Sequence, residues 1–93
     1  MRIGALHVSF MIFDANSLKQ KRRVMRSVKD RLMNTFNVSV AEVGSNDKWQ
    51  IGELGIATVG NETRFVNSVM SKVEDFLETF PSIRVIEVDL EIL

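Results

Sequence analysis

With 93 residues the chain has room for one domain around a single thin core. Its 45% hydrophobic and 26% charged residues are those of an ordinary globular protein, and it has no cysteine, which excludes disulfides, thiol catalysis and cysteine–zinc sites. The net charge of zero hides a split: residues 17–36 carry seven Lys or Arg against one Asp, and residues 42–93 carry ten Asp or Glu against four Lys or Arg.

The first strand is predicted over residues 2–13, where Leu6, Val8, Phe10 and Ile12 alternate with His7, Ser9 and Met11 at period two. These N-terminal residues read as a strand and not as a signal peptide. No apolar run reaches the length of a bilayer span, so a cytoplasmic protein with no membrane partner is expected. Asp14-Ala15-Asn16 forms a turn, and Ser17 caps a helix with Gln20 in the capping-box position.

The first helix is predicted over 18–35, with Leu18, Met25, Val28 and Leu32 on one face. A valine-rich strand over 37–44, the turn Ser45-Asn46-Asp47-Lys48 and a return strand over 49–59 make a hairpin. A second helix follows Gly60, with Asn61 as its cap. It runs to about Phe80 and is stopped by Pro81. Its broad apolar arc is made of Phe65, Val66, Val69, Met70, Val73, Phe76 and Leu77. The last strand, over 83–93, alternates Ile86, Val88, Leu90 and Ile92 with Glu87, Asp89 and Glu91.

The order is therefore βαββαβ. One hairpin and two helical crossovers predict a four-stranded antiparallel sheet with both helices on one face, an α+β ferredoxin-like sandwich and a single domain over 1–93. The opposite sheet face is open and is expected to carry His7, Ser9, Met11, Val85, Glu87, Asp89 and Glu91.

The first helix holds the most pointed chemical signal. Lys19, Arg22, Arg23, Arg26 and Lys29 fill one arc of roughly 120°. Lys19–Arg23 and Arg22–Arg26 are like-charged i,i+4 pairs, and four cations, Lys19, Lys21, Arg22 and Arg23, lie in the first two turns, where the helix dipole disfavours them. Rules broken locally in this way mark functional sites, so the stripe is a candidate phosphate-binding face. A solvated face, or one paired with Glu74, Asp75 and Glu78 on the second helix, is the competing explanation. Lys21 points toward the apolar arc from the first turn. It is expected to reach out past the sheet edge and join the anion donors.

Other features point to structure. Glu87, Asp89 and Glu91 could approach a divalent metal, but i and i+2 side chains on a strand stand about 7 Å apart, too far for a compact oxygen shell. On an edge strand such charges block aggregation, and no metal site is assigned. Trp49 reads as closing one end of the core, with base stacking the alternative. There is no phosphate-binding glycine loop and no nucleophile elbow, and a lone histidine without cysteine leaves little for nucleophilic catalysis. No catalytic residue and no cofactor is assigned, and an enzyme is not expected. The return strand Ile51–Ala57 has no aromatic residue for base stacking, so any RNA contact belongs to the first helix and not to the sheet.

The segment Asp14-Ala15-Asn16-Ser17-Leu18-Lys19-Gln20-Lys21-Arg22-Arg23-Val24 resembles the hallmark of the YlxP-like family of small bacterial proteins. So do Phe36–Val43, Trp49-Gln50, Leu54–Ala57 and the closing Glu91-Ile92-Leu93, which together span essentially the whole chain. Gln20 and Phe13 depart from the Glu and Pro of that pattern. The resemblance implies a ferredoxin-like fold, no established activity and no catalytic residues. It also implies a ribosome-linked context, since genes of the family often lie beside those for translation initiation and small-subunit maturation. The expected partner is thus RNA or a ribosomal subunit, contacted by Lys19, Lys21, Arg22, Arg23, Arg26 and Lys29. Self-association as a homodimer through the open sheet face is the alternative.

Overall fold

In a computed structural model describing residues 1–93, the chain forms β1 (Arg2–Ile12), α1 (Leu18–Thr35), β2 (Ser39–Gly44), β3 (Ile51–Gly60), α2 (Thr63–Leu77) and β4 (Ile83–Ile92). The strands make one sheet in the order β2-β3-β1-β4, with every neighbouring pair antiparallel. This is the ferredoxin-like α+β arrangement that the element order predicts.

Alternation on β1 sets the inside of the molecule. Leu6, Val8, Phe10 and Ile12 are buried, and the register brings Leu6 against Ile56 and Val8 against Leu54. Met25, Val28 and Leu32 of α1 and Met70, Val73 and Leu77 of α2 close over them to form one core. Side chains that lie three, four and seven residues apart on a helix share a face, which is why each helix contributes a triplet of this kind. The C-terminal halves of the helices meet through aromatic edges: Phe36 on Phe76 at 5.5 Å and Phe76 on Phe80 at 5.4 Å between ring centroids. The Arg31 guanidinium sits 4.4 Å above the centre of the Phe80 ring.

Two local expectations are corrected. Asn61 does not cap α2: Glu62 holds the cap position with no side-chain hydrogen bond, and the helix is secured by burial of its apolar face instead. In β4 the register against β1 shifts between Ser9 and Phe10, so Ser9 faces Glu87 while Phe10 faces Val85. One extra residue in the strand reverses the phase. Val85 packs against the core, not on the open face, and Ile86 is left 56% exposed.

Gly52 shows how closely α1 sits on the sheet. It faces the core opposite Phe10, and a Cβ placed there would lie 2.5 Å from Phe10 Cε1 and 2.7 Å from Met25 Sδ. The ring is buried and cannot retreat without moving its neighbours. Gly52→Ala should therefore destabilise by about 1–3 kcal/mol. The check is a lower urea midpoint with an unchanged denaturant slope.

Candidate nucleic-acid interface

Helix α1 begins at a sound cap. The Gln20 amide donates to the Ser17 hydroxyl at 3.2 Å, and the Gln20 side-chain oxygen accepts from the Asn16 amide. No acidic residue occupies the first turn, so nothing on the helix offsets its cations there. Lys19, Arg22, Arg23 and Arg26 are exposed and Lys29 is half-buried. Lys19, Arg22, Arg23 and Arg26 alone wall a shallow hollow, and Arg22, Arg26 and Lys29 border a second beside Asp30 and Glu42.

No cation of the stripe lies within 4.0 Å of a carboxylate, because the one ion pair of that length in the molecule joins His7 and Glu53. Pairing with Glu74, Asp75 and Glu78 is thus absent. The helix-one cation that turns to α2 is Arg31, and it meets aromatic rings.

Lys21 does not belong to this face. Its residue is 1% exposed, and its ammonium donates to the carbonyls of Ser45 and Lys48 in the β2–β3 loop. The expected reach to solvent is overturned because the hairpin loop folds beneath the first turn of α1 and supplies oxygens closer than water. Burial lowers the Lys21 pKa, opposed by the nearby charges of Glu42, Asp47 and Glu53.

The same loop continues to the open sheet face. The Ser45 hydroxyl donates to Glu53 Oε2, and His7 Nε2 donates to Glu53 Oε1 at 3.0 Å, since a carboxylate can only accept. Gly44 makes this possible: a Cβ there would lie 2.5 Å from Glu53 Oε2. Ser45 itself takes a left-handed conformation, φ 56°, which turns its carbonyl toward Lys21 and its hydroxyl toward Glu53. The Ser45 hydroxyl bond, aided by His7 and Lys48, holds the Glu53 carboxyl below its ordinary value against the opposing effect of desolvation. No motif in the sequence marks Glu53 or Gly44 as functional, and Ser45 reads there only as a turn residue. The one available signal is Gly44-Ser45 at the end of a strand whose partner carries an outward-facing acid.

Trp49 also departs from expectation. It is 42% exposed and lies outside the buried core, beside the loop that Lys21 holds. The core is closed without it by Ala15, Phe80 and Ile83, all buried.

The model of the family described as "Protein of unknown function (DUF503)" matches residues 3–90. The chain belongs to this family. It is similar to the uncharacterized protein YlxP of Bacillus subtilis, 38% identical over 81 residues that cover 87% of this chain and 88% of the relative. The match runs through β1, α1, the hairpin and α2, so the cation stripe, the Lys21 loop and Glu53 all fall within the family's span.

Two outcomes follow from this geometry. Lys21→Met keeps an unbranched side chain one atom shorter but removes the donors for two carbonyls, and should cost about 1–3 kcal/mol. Amide exchange at Lys48, whose N–H bonds the Ser45 carbonyl at 3.1 Å, should speed up in the variant. For Glu53 the folded pKa lies below the unfolded one, so its stabilisation is fully present above the ordinary carboxylate value and is lost as pH falls through the lowered folded value. The stability gap between the parent and Glu53→Gln should therefore be open near about pH 6 and closed near about pH 2, measured by urea unfolding across that range.

Proposed function

We propose that the protein is a non-catalytic binder of structured RNA, free or within a ribosomal particle, and that Lys19, Arg22, Arg23, Arg26 and Lys29 contact its phosphates. The observation that carries this is the hollow walled by four cations and by nothing else, with no carboxylate within ion-pair distance. Unpaired cations held on a rigid helix keep their full attraction for an incoming polyanion, and releasing its counterions drives binding. The other side of the molecule favours the same assignment of faces. Glu87, Asp89 and Glu91 on the open sheet would repel a phosphate backbone, and β3 offers no aromatic residue there between Ile51 and Ala57 to stack a base. Lys21 is left out of the contact set because its ammonium is already spent on the hairpin loop.

Replacing Arg22, Arg23 and Arg26 together by Gln separates binding from folding. Gln has nearly the helix propensity of Arg, and the change removes like-charge repulsion near the start of the helix. The triple variant should be as stable as the parent or slightly more stable in low salt. In co-sedimentation with ribosomal subunits and in titrations with structured RNA it should lose tenfold or more in affinity. Its dependence on salt should also flatten, by roughly 0.9 in the logarithmic slope per phosphate contact removed. No salt-sensitive association of the parent with either would refute the proposal, as would a triple variant that binds like the parent.

A further inference from the structure

The open sheet face is built as a seat. Midway along its two central strands three outward positions are small: Ala5 stands opposite Ala57, and Gly55 lies opposite His7. On the β2 side Ala41 lies opposite Gly55, and a Cβ at Gly55 would fall 2.9 Å from Val43 Cγ1, so Val43 leans over the floor as a rim. The result is a mostly apolar trough of about 500 Å³ with Asp89 and Glu91 on its far side. Outward positions on a strand ordinarily carry long or branched side chains that cover the backbone. Here the floor is left low over three adjacent strands.

The β4 wall is anionic and unanswered. Glu87, Asp89 and Glu91 are exposed at alternate positions of the edge strand, opposite Ser9, His7 and Ala5, and none is in an ion pair. The His7 ring is engaged by Glu53, and Arg84 stands at the other end of the strand, opposite Met11.

We propose that this face docks a basic amphipathic helix of a partner protein, its apolar stripe in the trough and its Lys or Arg residues along Glu87, Asp89 and Glu91. Alternate residues on a strand repeat every 6.6–6.8 Å or so, and positions i and i+4 of a helix about every 6 Å, so a cation row on one flank of such a helix meets the carboxylates nearly in step. A helix laid there covers the second side of the sheet as α1 and α2 cover the first. The chain's own helices cannot serve as the guest from a second copy: Met25, Val28 and Leu32 of α1 and Met70, Val73 and Leu77 of α2 are committed to their own core. A two-fold sheet-to-sheet pair would bring like-charged walls together, and a polyanion is repelled. This surface is independent of the cation stripe on α1.

The probe is a synthetic helical peptide with a Leu stripe flanked on one side by Lys at i, i+4 and i+8, titrated calorimetrically into the full chain. Its control has Glu in place of each Lys. The Lys peptide should bind in low salt and weaken as salt rises, and the Glu peptide should not bind. Asp89→Lys with Glu91→Lys changes only exposed edge positions and should lower affinity tenfold or more. Ala57→Phe, which fills the trough, should abolish binding, and circular dichroism checks that each variant is folded. If Ala57→Phe does not fold, the charge-reversal pair decides alone. Failure of the Lys peptide to bind overturns the proposal. So does equal binding of the Glu peptide, or affinity unchanged by folded variants. A stable dimer that masks the face and is broken by Ala57→Phe would make the occupant a second copy, and would overturn it too.

Discussion

A single buried ammonium decides how the first helix faces the rest of the molecule. Lys21 enters among the apolar residues of α1 and ends on two carbonyls of the β2–β3 loop. Leaving such a charge without partners in the interior would cost several kcal/mol, so the loop must close for the helix to seat. The apolar triplet Met25, Val28 and Leu32 sets which side of α1 turns inward, and Lys21 pins its first turn over the hairpin. With both fixed, Lys19, Arg22, Arg23 and Arg26 have no direction left but outward.

The zero net charge is therefore an arrangement and not a balance of neighbours. Cations collect on the outer side of α1, while the carboxylates lie mostly elsewhere, with Glu53, Glu87, Asp89 and Glu91 on the open sheet face and Glu62, Glu74, Asp75 and Glu78 along α2 and its ends. Concentrating like charge on α1 works against the helix, through repulsion at i,i+4 and through the dipole, by a few tenths of a kcal/mol for each contact. The Ser17–Gln20 cap and the inward stripe supply more than that, which is how the fold sustains a surface that its own local energetics disfavour. A sheet with one covered face also leaves the other free to be shaped, and here it is shaped by what is missing, at Ala5, Ala41, Gly55 and Ala57.

Most of this fold is legible in the sequence, and the parts that are not have definite causes. Helix α1 is found at its observed bounds because Ser17 and Gln20 mark its start and a long periodic stripe marks its body. The cation arc is legible for the same reason, since positions on a helix are fixed by a constant rotation. Lys21 is misplaced because its partners lie 24 and 27 residues away, in a loop whose path depends on tertiary closure. Val85 is misplaced by a single bulge residue, which leaves no mark on the hydrophobic alternation until the register against β1 is known. Trp49 stays at the surface although its apolar ring suits a core, and the buried cluster is complete without it. The open trough escapes notice because periodicity records which residues are apolar, and a floor is made by residues that are short.

The position of Trp49 has a spectroscopic consequence. It is the sole tryptophan and the chain has no tyrosine, so essentially all near-ultraviolet emission comes from one ring next to the loop held by Lys21. Because that ring is 42% exposed in the folded protein, its emission is already partly that of indole in water, and global unfolding has only a modest red shift left to produce. What the fluorophore senses most directly is the detachment of the hairpin from α1. A melt followed by fluorescence and one followed by helical ellipticity thus watch two different events in this molecule, and they coincide only to the extent that the Lys21 tether makes the hairpin and the helix one cooperative unit.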